Sequence, residues 1–112
     1  MRAVDRSDLN LVSMQVILHA GNARVFIFKA VDQASNGVFT EADSLLESAN
    51  KEMVAAHQAQ TDTLQKEAEG IDIPYSPLFG HAQDTLMTVM SEMNVIKEII
   101  KLYRKMGVAK NG

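Results

Sequence analysis

Two residues in the chain combine reactive chemistry with helical spacing: His81 and Asp84, in the stretch SPLFGHAQDTLMTVMSEM from Ser76 to Met93. Residues three apart on a helix are neighbours on one side of it. Imidazole is the side chain that can be neutral and nucleophilic near pH 7. With one ring nitrogen held by a hydrogen bond, the other is free to attack, and Gln83 and Asp84 are local candidates for that support. The pair alone fits a rim histidine as well as a catalytic one. Asp84 has a second reading: in a symmetric trimer its three copies converge on the axis. Carboxylates brought that close repel unless they are protonated or bridged by a cation, and a hard divalent ion with carboxylate and water ligands suits such a place.

Several other chemistries are excluded. There is no cysteine for a disulfide, a thiolate metal site or a thiol nucleophile. None of the three histidines, His19, His57 and His81, has an acid three residues before it, so the Glu-x-x-His signature of di-iron bundles is missing. HExxH and the phosphate-cradling GxxxxGK[ST] are also missing. A formal net charge of −3 gives no basis for nucleic-acid binding. Lys97, Lys101, Arg104, Lys105 and Lys110 gather late in the chain, where cations complement a helix C-terminus.

Helices must position these groups. Ser76 reads as an N-cap and Pro77 as the first helical residue. A third helix is expected from Pro77 to Met106, ended by Gly107. Its apolar seam is Ala82, Leu86, Val89, Met93, Ile96, Ile100 and Tyr103, a continuous heptad pattern. A first helix, capped by Ser7 or Asp8, spans about 8–36 with the seam Leu9, Val16, Ala20, Ala23, Ile27, Ala30 and Ala34. Gly21 inside it reads as close helix packing or as room for a ligand or a neighbouring side chain. A second helix spans about 41–69 from a capping box at Thr40–Asp43. Its seam is Ala42, Leu45 or Leu46, Ala49, Met53, Ala56, Gln60 and Leu64. Gln60 and His57 read as satisfied polar groups of the bundle or as the border of a site.

Short connections predict one all-α domain over residues 1–112, an antiparallel up-down-up three-helix bundle. The third helix carries surplus apolar residues, Met87, Met90, Ile99, Leu102 and Met106, which predicts a homo-oligomer built on it. No apolar run approaches a membrane span. The N-terminal MRAVDRSDLN has no apolar core behind its positive charge, so no signal peptide is expected, and a soluble intracellular protein is.

The chain resembles the lactose/cellobiose-specific enzyme IIA family of the bacterial phosphotransferase system. The motifs are HAGNAR at His19–Arg24, AHQAQT at Ala56–Thr61, EAEG at Glu67–Gly70, HAQDTLM at His81–Met87 and EIIKLY at Glu98–Tyr103. The resemblance runs from about Asp8 to Arg104. It implies a three-helix subunit assembled as a trimer. It implies that His81 accepts a phosphoryl group on Nε2 from phospho-HPr and passes it to a cysteine of the IIB component, for uptake of a lactose-, cellobiose- or chitobiose-type sugar. The membrane enters only through the IIC component, and the carrier itself is cytoplasmic. It implies that Asp84 binds one metal per trimer on the axis, Mg2+ by usual assignment, and that Gln83 lies beside the phosphohistidine. Leu78, Phe79 and Gly80 are expected to supply a shallow partner surface. Members often read HAQDHLM, and this chain has Thr85 in place of the second histidine. A non-catalytic adaptor or a regulatory paralogue on the same bundle is the alternative.

Overall fold

The computed structural model describes residues 4–107 as three helices and no strand: α1 (Arg6–Ser35), α2 (Phe39–Ala68) and α3 (Pro77–Lys105). The molecule is a rod of 60 × 19 × 19 Å.

The buried row of α1 is Leu9, Ser13, Val16, Ala20, Ala23, Ile27, Ala30 and Ala34. Every apolar member was expected from spacing. Ser13 was not, because a hydroxyl breaks the apolar pattern. It donates to the carbonyl of Leu9 at 2.7 Å, which makes it self-sufficient inside the bundle. On α2 the buried row ends with Thr63, whereas Leu64, expected there, is 37% exposed. The carbonyl oxygen of Gln60 is buried with no partner among the described residues, so Gln60 lies inside the bundle without being fully satisfied.

The caps differ from the sequence expectation at two ends. Asp5 caps α1, its carboxylate accepting from the Asp8 N–H at 2.8 Å. Asp8 therefore sits in the first turn, where a negative charge meets the positive end of the helix dipole. The box at Thr40 does not form, because α2 has begun by Phe39. The chain arrives there directly from a Schellman turn. Gly37, at φ 81°, donates to Ala34, and Val38 donates to Gln33. Gly70, at φ 91°, ends α2 in the same way, with Ile71 donating to Lys66.

Polar ties link the helices. His19 of α1 meets Glu52 of α2 at 2.9 Å, and Asn22 donates to the same Glu52 oxygen at 2.9 Å. Arg24 of α1 donates to Glu92 of α3 at 2.8 Å. Arg104 of α3 pairs with Asp43 of α2 and lies over the Phe39 ring, 4.7 Å from its centre.

The hydrogen bond from His19, with that from Asn22, holds the Glu52 carboxyl below the usual carboxylate range. A depressed folded-state pKa contributes stability above the unfolded value, near 4.5, and that contribution fades as pH falls through the folded value. Glu52→Gln is therefore expected to lower the urea midpoint at pH 7, with a deficit that shrinks steadily as the pH is taken below 4.5. A deficit that stays the same size as the pH falls would show that the carboxylate charge is not what matters.

Both α1 and α3 keep apolar rows outside the bundle. On α1, Leu11, Met14, Leu18, Val25 and Phe28 are 48–63% exposed. Gly21 falls in this outer row, and a Cβ built there meets nothing within 4 Å. Close packing within the chain therefore does not explain it. On α3, Met87, Val95, Leu102 and Met106 are more than half exposed, and Ile99 is 37% exposed. With two apolar rows, α1 is long and apolar enough to cross a membrane by length and composition, although neither row is an unbroken apolar run; the core helix of a soluble protein passes the same test.

Candidate functional site around His81

Ser76, Pro77 and the first turns of α3 build the site. Ser76 is extended (φ −146°, ψ 106°), and its hydroxyl accepts from the Phe79 N–H at 3.0 Å. Pro77 follows as the first helical residue, where its missing N–H costs nothing. His81 is the fifth residue of α3, just above the turn whose free N–H groups and dipole favour an anion.

The imidazole of His81 is exposed and takes no hydrogen bond from any described side chain. The other two histidines differ. His19 is held by Glu52, and the Nδ1 of His57 lies 3.3 Å from the Thr61 hydroxyl.

Asp84 is exposed one turn on, on the neighbouring side of the helix. Among the described residues no group of three or more His, Cys, Asp or Glu side chains could hold a metal ion. Hard divalent cations take about six oxygen ligands or more. One carboxylate per chain does not fit such an ion. Only a site shared between copies would.

The remaining site residues divide by face. Successive helix residues turn by about 100°, so Gln83 lies about 200° round from His81, on the far flank of α3, and is half-buried. Leu78 and Gly80 are half-buried. Phe79 is corrected: at 7% exposed it offers no docking surface on this chain. It opens the buried row of α3, Phe79, Ala82, Leu86, Val89, Met93, Ile96 and Ile100, which starts one step earlier than the expected seam. The exposed aromatic at this end is Tyr75, 84% exposed and just outside the Ser76 cap. It lies in the connection before α3, outside the helical pattern, so no apolar spacing singled it out. Thr85 is half-buried, and its hydroxyl donates to the His81 carbonyl at 2.8 Å.

The arrangement is an exposed imidazole on a helix, close to that helix's N-terminus. That suits accepting a group from another macromolecule more than binding a small substrate.

The model of the family described as "PTS system, Lactose/Cellobiose specific IIA subunit" matches residues 11–104. The lactose-specific EIIA component of Staphylococcus epidermidis is 37% identical over 102 residues, covering 91% of this chain and 98% of that protein. The Lactococcus lactis lactose-specific EIIA component is also 37% identical, over 91% and 97% of the two chains. Among solved structures, PtcA from S. mutans superposes with a TM-score of 0.87 at 38% identity, covering 90% of this chain and 99% of that one. The cellobiose-specific enzyme IIA from Bacillus anthracis superposes with a TM-score of 0.83 at 35% identity, covering 92% and 93%. The chain belongs to the lactose/cellobiose-specific IIA family of the phosphotransferase system.

Proposed function

We propose that this chain is a cytoplasmic phosphocarrier that accepts a phosphoryl group from phospho-HPr on Nε2 of His81 and delivers it to a cysteine of its IIB component. The sugar taken up is of the lactose, cellobiose or chitobiose type. The observation that carries the reading is the His81 ring: exposed, unpartnered, and set in the first turns of α3 in a member of this family.

In the first half-reaction the Nε2 lone pair attacks phosphorus, forming one P–N bond as the P–N bond to the HPr histidine breaks. Nδ1 keeps the ring proton. In the second, the IIB thiolate attacks the same phosphorus and His81 leaves as neutral imidazole. Little covalent help is needed, because positioning and charge complementarity supply most of the catalysis in phosphoryl transfer. The α3 N-terminus favours the anionic group as it arrives.

The working form is a homotrimer of up-down-up subunits. Its support is the surplus apolar surface, the outer row of α3 continued by that of α1, together with the ties that hold α1 against both partners. Gly21, in the outer row of α1, leaves room there for a neighbouring copy. Asp84 from each copy would hold one Mg2+ on the axis, where the ion would offset the repulsion of three carboxylates. Asp84→Leu is expected to abolish any Mg2+-dependent rise in melting temperature. A rise that survives the substitution rejects Asp84 as ligand.

The deciding experiment is intact mass after incubation with phosphoenolpyruvate, enzyme I and HPr. One acid-labile phosphoryl group per chain is expected. No gain in a folded protein, with HPr from several sources, moves the reading to a non-catalytic adaptor.

A further inference from the structure

Resting on the carrier reading, a question remains: which side chain hydrogen-bonds the phosphoryl group once it is on His81? Helix geometry restricts the answer. The neighbours of position 81 on its own face of α3 are those three and four residues away: Pro77, Leu78, Asp84 and Thr85. Pro77 and Leu78 have no side-chain donor. Ionised Asp84 only accepts, and it repels an anion. Gln83, a donor by type, lies on the other flank. Among the side chains of α3 itself, Thr85 alone remains.

Its hydroxyl is already turned toward residue 81, donating to the His81 carbonyl at 2.8 Å. That bond adds nothing the helix needs, because a C=O inside a helix already accepts from the N–H four residues on. Such back-bonding is weak or slightly destabilising. Threonine also keeps two χ1 wells in a helix, so the hydroxyl can leave the carbonyl at small cost. A bond to an ionised acceptor is roughly twice as strong as one to a neutral carbonyl.

We infer that Thr85 is the side-chain donor to the phosphoryl group on His81, its hydroxyl exchanging the His81 carbonyl for a phosphoryl oxygen when the group arrives. No bond to phosphorus changes in this step. One hydrogen bond is exchanged for a stronger one, and the hydroxyl keeps its proton. Thr85 thus supplies by hydrogen bonding what a titratable residue would supply by charge, and its donor strength does not vary with pH between 5 and 8.

The test is the equilibrium of phosphoryl groups between HPr and this protein, measured for wild type, Thr85→Val and Thr85→Ser, with the 31P shift of the phosphohistidine recorded for each. Valine keeps the branched shape and removes only the hydroxyl. Thr85→Val is expected to move the equilibrium about tenfold toward phospho-HPr, the shift that a bond of about 1.4 kcal/mol gives, and to change the 31P shift. Thr85→Ser should restore both. Matched circular dichroism melts exclude a folding effect. Wild-type values for a folded, phosphorylated Thr85→Val protein overturn the inference and leave the carrier reading standing. Absence of phosphoryl uptake by wild type overturns both.

Discussion

Substitution of His81 by glutamine is expected to give a folded protein whose phosphoryl uptake falls to background. Two observations argue for the completeness of the loss. No second imidazole stands in the same environment: His19 is tied to Glu52, and His57 lies near the Thr61 hydroxyl on α2. The amide of glutamine is not a nucleophile, so no weaker version of the same chemistry survives. Preservation of the fold has its own argument. The His81 ring is exposed and bonded to no described side chain, and surface changes away from caps and cores usually fall within about 0.5 kcal/mol. The melting temperature should therefore move by no more than about 2–4 °C. The measurement is intact mass after the phosphorylation assay, paired with a thermal melt. Phosphoryl incorporation at wild-type level in the variant would assign the acceptor elsewhere.

The opposite pattern is expected at Leu86, one residue beyond Thr85 and facing inward. Its side chain is fully buried in the middle of the α3 row. Leu86→Ala removes its packing and leaves a void that an alanine-rich interior cannot easily fill. The cost expected of such a change is about 3 kcal/mol. Chemical denaturation should show the full loss, while the variant kept folded in the cold still accepts phosphoryl groups on His81. A loss below about 1 kcal/mol would mean that the neighbouring helices close the gap.

The two positions also show how the sequence was legible. Inner rows repeat at heptad spacing, so α1 and α3 could be read almost whole from apolar periodicity. The misreadings fall where a polar group is satisfied locally or where a turn sets the boundary. Ser13 is buried because its own helix accepts its proton. Thr63 does the same work at the end of α2, where its hydroxyl lies 3.5 Å from the Ala59 carbonyl. Asp5 outcompetes Ser7 and Asp8 as cap, and the Gly37 turn starts α2 before the Thr40 box can form. For the site, spacing and family resemblance single out His81 and Asp84. The inward position of Phe79 follows from the same heptad rule, applied one step further upstream. The Thr85 bond was not legible, because the direction of a hydroxyl is a rotamer choice that no spacing encodes.

The interior of this bundle is built largely from its smallest side chains. Ala20, Ala23, Ala30 and Ala34 on α1 and Ala42, Ala49 and Ala56 on α2 have no solvent exposure. Interaxial distance depends on the side chains at the contact, at about 8–10 Å for helices in general, and alanine sets the lower end. Tolerance along the α1–α2 line is therefore inverted relative to an ordinary core. There is little to remove, so truncation costs little, whereas one added methyl group cannot be absorbed by rearranging neighbours that have no rotamers. Enlarging one of these alanines pushes two thirty-residue helices apart as rigid bodies, and the damage spreads along the whole rod.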